Sequence, residues 1–267
     1  NIIIASGQSE GSVAAITYAL QLMIMPQAVI AQAIAIAALP TFSAQVARGK
    51  LDEMRASLAT TLRGVIFLSL PASLGLIMLR RPVISLLLQR GEFTTVSTDL
   101  VAWALLWYAA GLVGHAVLEI IVRAFYAMKD TRTPVIVGAV AMSLNIVFSL
   151  TFSAWFARIG WAPHGGLALA NSLATALECL TLLWLMSRRM GGLDLGRLRR
   201  GLVASVSATI TMGVALWLWT EFTEGRSIWL IGGVGVIAGA GIYWLIALAL
   251  GAPETRQLPG MLLRRDQ

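Results

Sequence analysis

The chain has 267 residues, 58% of them hydrophobic and only 12% charged, with a mean hydropathy of +0.79. A soluble domain of this length is nearer half apolar and a quarter charged, so too little polar surface remains here to wrap a water-soluble globule. The net charge of +7 sits at the ends of apolar runs rather than on one polar face, which argues against nucleic acid as a partner, and the single cysteine, Cys179, excludes an internal disulfide and a cysteine-based metal cage.

The bilayer is therefore the expected solvent, and a spanning helix needs roughly 20 apolar residues. The first stretch, "NIIIASGQSEGS", has no initiator Met and no basic-then-apolar leader, and reads as the tail of an earlier apolar helix in a longer membrane protein. Residues 11–47 carry no charge, which predicts a first span over about 12–40 with Pro26 inside it. A second is expected over about 58–79 around Pro71, a third over 97–128 and a fourth over 134–156. Three more follow, over 165–187, 201–220 and 227–250. Backbone polar groups in lipid must be satisfied within the segment, which selects helices, and none of these runs alternates as a barrel strand would. The fold class is all-α: a polytopic membrane bundle of seven helices.

Basic residues orient such a bundle. One set of connections holds Arg48, Lys50, Arg55, Lys129, Arg132, Arg188, Arg189, Arg197, Arg199, Arg200, Arg256, Arg264 and Arg265; the alternate set holds Arg80, Arg81, Arg90, Arg158 and Arg226. Thirteen against five makes the first set cytoplasmic, with Asn1 outside and Gln267 inside. Within it, "AMKDTRTP" reads as a tight turn in which Asp130 or Thr131 caps the next helix and Pro134 occupies its first turn.

Ionisable groups at membrane depth cost about 2.5–3.5 kcal/mol on insertion scales and mark function by default. His115, Glu119 and Arg123 recur every four residues and share one helix face, with Glu119 in the favourable order before Arg123 for an ion pair. Two readings stand: a polar stripe that meets a headgroup or carries a proton, or an internal pair with His115 bonded to a neighbouring helix. Glu178, near mid-span, is expected to face protein or water. Gly235 and Gly239 form a GxxxG that suits close helix packing, and Trp155, Trp161, Trp219 and Trp229 fall near the expected outer ends, as an interfacial belt would place them. No nucleophile, metal-ligand cluster or phosphate-cradling glycine loop is apparent, which points away from an enzyme and calls for no cofactor.

Four stretches carry a family resemblance. "ALPTFS" (38–43), "LLLQRGEFT" (86–94), "RAFYAMKDTRTPV" (123–135) and "HGGLALANSLA" (164–174) resemble, in chain order, elements of the MurJ/MviN lipid II flippase family. The resemblance implies the second lobe of a fourteen-helix transporter of the multidrug/oligosaccharidyl-lipid/polysaccharide exporter superfamily. Residues 1–190 would form the second-lobe bundle, from the end of the seventh family helix through the twelfth, and 191–267 the two extra helices and a cytoplasmic tail. It implies alternating-access movement of undecaprenyl-diphosphate-linked peptidoglycan precursor in a bacterial cytoplasmic membrane, with membrane lipids and a first lobe of the same protein as partners. Another polyprenyl-linked saccharide exporter, or a non-transporting scaffold, are the rival readings. The substrate-facing residues would be Gln21, His115, Glu119, Arg123 and Glu178. Gln21 stands where the family has an Arg, which exchanges a bidentate cation for a neutral amide. Sodium-linked members have an Asn and an Asp near Asn145 and Ser149; with a serine at 149, interhelical hydrogen bonding is the expectation here. Pro26 and Pro71 suit hinges or packing equally.

Overall fold

The computed structural model describes residues 1–192 and 195–255, apart from the side chains of 195–200. Of the cytoplasmic set, the side chains of Arg197, Arg199 and Arg200, and the whole of Arg256, Arg264 and Arg265, lie outside what is described. The described residues form helices and no strands: α1 (Ile2–Ser6), α2 (Ser12–Gln27), α3 (Ala33–Ala47), α4 (Leu51–Met78), α5 (Arg80–Leu88), α6 (Thr95–Ala127), α7 (Arg132–Arg158), α8 (His164–Arg189), α9 (Leu195–Phe222) and α10 (Gly235–Ala249). Seven stretches are long and apolar enough to span a bilayer, with α2 and α3 joined as one of them. Each coincides with one of the seven spans expected from the sequence.

Pro26 has a visible local consequence. It lacks an N–H and its ring crowds the carbonyl four residues back. A π-helical turn, Ala28–Gln32, follows directly before α-helical bonding resumes in α3. Pro71 leaves α4 continuous. The sequence had given no helix between about 79 and 97, yet α5 fills part of that gap. At nine residues it is too short to span, and it is tied down at its start: Arg80 Nη1 donates to Ile77 O (2.6 Å), Arg81 pairs with Asp99 (2.9 Å), and Ile84 is fully buried.

Helix α6 is the central post, packing on α2, α3, α4, α5 and α8. Without a hydrophobic force between helices in lipid, close approach depends on small residues and hydrogen bonds. A Cβ at Gly111 would lie 2.9 Å from Ser172 Cα, and the Ser172 hydroxyl donates to Trp107 O (2.7 Å), so α6 and α8 touch nearly backbone to backbone. Helix α7 rests chiefly on α8. The α9–α10 pair is held on α4 by Phe67, Met212 and Leu216, with the Tyr243 hydroxyl donating to Phe67 O (2.6 Å). Gly235 and Gly239 face Leu79, Trp219 and Leu216 at ordinary to tight packing distance, which is the packing role expected of the GxxxG.

The "AMKDTRTP" corner closes tightly. Asp130 N–H donates to Phe125 O (3.0 Å) and Lys129 N–H to Tyr126 O (2.9 Å), the paired bonds of a Schellman C-cap, with Lys129 in the left-handed region at φ 61°. Asp130, and not Thr131, caps α7: its carboxylate accepts from Thr133 N–H (3.0 Å) and the Thr133 hydroxyl (2.6 Å). Arg189 from the end of α8 pairs with Asp130 (2.5 Å) and donates to Thr133 Oγ1 (3.0 Å), fastening three helices at one point.

Candidate functional site

A group of polar side chains at membrane depth lies on α6, α7 and α8. On α6, Arg123 Nη1 lies 3.0 Å from Glu119 Oε2, so the i,i+4 pair forms, and both side chains are about a quarter exposed. One turn earlier, His115 Nε2–H reaches Asn171 Oδ1 on α8 (3.2 Å). Because α6 and α8 are adjacent, Asn171 joins the α6 stripe to a second cluster. That cluster lines a cavity of about 220 Å³ between α7 and α8, bounded by Gly138, Asn145, Asn171, Thr175 and Glu178. Glu178 thus lines a cavity between two helices and is partly exposed. Of the five site residues expected from the sequence, His115, Glu119, Arg123 and Glu178 lie in this region, whereas Asn171 and Thr175 were not anticipated. Asn171 stands inside the quoted "HGGLALANSLA", and an asparagine seven residues before a mid-span Glu shares its helix face, which was the available signal.

Gln21 lies elsewhere. It is exposed on α2 and borders an open hollow with Gln8, Glu10, Thr17 and Tyr18 at the α1–α2 junction. Neither a bond nor a shared cavity links it to the α6–α8 cluster among the described residues. The junction is itself tied to α7: Gln8 Nε2 donates to Ser153 Oγ (2.8 Å), and the Ser149 hydroxyl donates to Asn1 Oδ1 (2.8 Å). Ser149 therefore makes the interhelical hydrogen bond expected of it. Asn145, by contrast, buries an Nδ2 with no partner.

Two further features bear on the site's frame. Pro26 and Pro71 both line an apolar cleft of about 470 Å³ bounded by α2, α4, α5, α9 and α10. A buried ion pair, Arg63 Nε to Glu254 Oε1 at 3.2 Å, joins α4 to the segment after α10. At the Asp130 corner, outside the spans, the Thr133 hydroxyl and N–H, with Arg189, pull the carboxyl down to about 2. At the opposite ends of the helices, Trp103, Trp107, Phe156 and Trp161 pack edge-to-face, and Trp103 Nε1 donates to Ala162 O (3.1 Å). Trp155 and Trp161 are half exposed there, as interfacial side chains are.

Comparison with known proteins adds the lineage of this frame. The family described as "Lipid II flippase MurJ" matches residues 1–235. The chain is 31% identical over 257 residues to the probable lipid II flippase MurJ of Vibrio cholerae, covering 93% of this chain and 47% of that protein. It is 34% identical over 191 residues to the lipid II flippase MurJ of Burkholderia cenocepacia, covering 72% of this chain and 36% of that protein. A solved structure of lipid II flippase MurJ in an inward closed conformation shares the fold, with a TM-score of 0.74 at 24% identity over 94% of this chain and 48% of the other. The chain spans about half the length of the curated relatives it matches.

Proposed function

The chain belongs to the lipid II flippase MurJ family, and on that premise we propose that it forms the second half of a flippase for undecaprenyl-diphosphate-linked peptidoglycan precursor. It is a multi-pass protein of a bacterial membrane. In this reading residues 1–190 are the second lobe and 191–267 the two additional helices and tail. Asn1 lies outside and Gln267 in the cytoplasm, as the basic asymmetry supports. A first lobe of the same protein completes the cavity, and membrane lipid surrounds the whole.

The observation that carries the reading is the polar line His115–Asn171, Glu119–Arg123 and Glu178, held inside the spans of a bundle with this family's fold. The headgroup's diphosphate needs cations, and a hydrogen bond to a charged group contributes about 1.5–3 kcal/mol. Arg123 supplies one such cation, and a diphosphate would compete with Glu119 for it. Gln21, on the open α1–α2 face, offers the headgroup neutral hydrogen bonds. The π-helical turn after Pro26 gives the first span a place to bend as access alternates. No step of this transport requires covalent chemistry, so the protein acts as a transporter and not as an enzyme.

Complementation of a strain depleted of its own flippase tests the reading, with the full gene carrying each Gln21 variant. Wild type and Gln21→Arg are expected to support growth, because a cation fits both site and substrate. Gln21→Glu is expected to fail at normal abundance, by setting like charge against the diphosphate. Equal growth with Gln21→Glu would remove α2 from headgroup contact. Failure of wild type at normal abundance would sink the lipid II assignment.

A further inference from the structure

Glu178 stands apart from the other described carboxylates in the spans by its depth: Glu221, also without an ion pair among the described residues, lies at the very end of its span. It lies 14 residues past His164 and 11 before Arg189, near the middle of α8 and so of the bilayer. Glu119, the other deep carboxylate, is neutralised by Arg123. At the start of their helices, Asp52 pairs with Arg55, Glu53 with Lys50 and Asp99 with Arg81. Glu178 has neither an ion pair nor a hydrogen-bond donor among the described residues, although it borders a polar cavity.

The cavity is built around the carboxyl. Gly138 leaves the space on α7: a Cβ there would come within 3.1 Å of Glu178 Oε1. Asn145, whose Nδ2 is buried without a partner, lines the same cavity, and so does Asn171. The groups that could set the charge of Glu178 are few. On α8, Cys179 is buried in the core against α6. On α7, the lining residues Gly138, Ala141, Met142 and Asn145 do not titrate. On α6, His115 is engaged by Asn171, while Glu119 and Arg123 neutralise each other. No cation is paired with it among the described residues.

With no described cation paired to it, a proton is the charge-balancing partner that this geometry leaves to the Glu178 carboxyl. The surrounding amides suit both states. An ionised carboxylate can accept from Asn145 Nδ2–H, and a protonated one can donate to an amide oxygen. We propose that Glu178 is a proton-binding site of the α7–α8 interface, and that protonation lets α7 settle on α8 across Gly138 while ionisation keeps the cavity open and wet. The proton bound is a solvent proton, with no other reactant. The site itself stands on this geometry alone; its use to drive movement of a lipid-linked substrate rests on the flippase reading above.

The test uses the full-length protein in lipid vesicles, titrated from acid to alkaline and followed by infrared difference spectroscopy. Wild type is expected to show a carboxylic C=O stretch that disappears as the pH rises. Glu178→Gln is expected to lose that band, and Glu178→Asp, which keeps a carboxyl and guards against a folding artefact, to retain a shifted one. An unchanged titrating band in Glu178→Gln, or no titrating carboxylic band in wild type, would overturn the proposal. Lipid II transport is measured in the same vesicles. If the band behaves as expected but wild type moves no lipid II, the proton site stands and the flippase reading falls.

Discussion

Replacing Gly166 with alanine probes the contact on which α7 depends. Gly166 is the third residue of α8, and a Cβ there would lie 2.6 Å from Phe152 C and 2.7 Å from both Phe152 O and Ser153 N. All three are backbone atoms, so no rotamer relieves the overlap. To restore an ordinary carbon contact of 3.4–4 Å, α7 must retreat by close to an ångström where it packs on α8. Overpacking of this kind costs about 1–3 kcal/mol, occasionally more. Gly114, on α6, is the matched control: its Cβ would meet Ala176 Cα at 3.7 Å, an ordinary contact. There, the better helix propensity of alanine is worth up to about 1 kcal/mol in the opposite direction. Thermal unfolding of the full-length protein in detergent, read by the fluorescence of the Trp103–Trp107–Trp161 cluster beside Phe156, separates the two. Gly166→Ala should lose stability while Gly114→Ala holds or gains it. Equal behaviour of the two variants would refute the claim that backbone contact, rather than general apolar packing, seats α7.

Three further outcomes are expected. Glu254→Ala takes away the carboxylate paired with partly buried Arg63 and should weaken the seating of the α9–α10 pair on α4 by about 1.5–3 kcal/mol, the worth of a hydrogen bond to a charged group, whereas Arg63→Met with Glu254→Leu should recover most of that loss; hydrogen exchange of α9 and α10 reads the difference. Asp130 is held down at about 2 against an ordinary 3.8, so its contribution is complete above the ordinary value and is lost as pH falls towards 2; acid unfolding of wild type should steepen in that window, and Asp130→Asn should lack the step. Cysteines placed at Thr131 and Thr223 should differ in intact cells, the first shielded from an impermeant thiol reagent and the second labelled, and the reverse pattern would invert the orientation.

The spans were legible because charge-free stretches as long as a bilayer is thick have few alternatives, and their ends fell near the charges that bound them. Helix α5 was not legible in the same way: nine residues carry no spanning signal, and it is fixed by contacts of Arg80, Arg81 and Ile84 that only the fold brings together. The π-helical turn after Pro26 is likewise invisible to hydropathy, although the proline that accompanies it was plain. Within the site, spacing alone found the Glu119–Arg123 pair, because both partners lie on one helix. Spacing could not find Asn171 as the partner of His115, since that bond depends on how α6 and α8 are registered. Nor could it separate Gln21 from the α6–α8 cluster, because both are simply polar residues in apolar runs. Glu254, outside every span, gave no sign that it would be buried against Arg63.

The account turns most directly on whether the full-length protein carries lipid II across a bilayer. Purified protein in vesicles loaded with lipid II, probed from outside by an impermeant reagent that modifies the headgroup, answers this. The account predicts that lipid II initially in the inner leaflet becomes accessible at a rate proportional to the protein present, and that Arg123→Ala slows that rate while leaving the protein folded and inserted. Accessibility no faster than in protein-free vesicles, or an unchanged rate with Arg123→Ala, would contradict it.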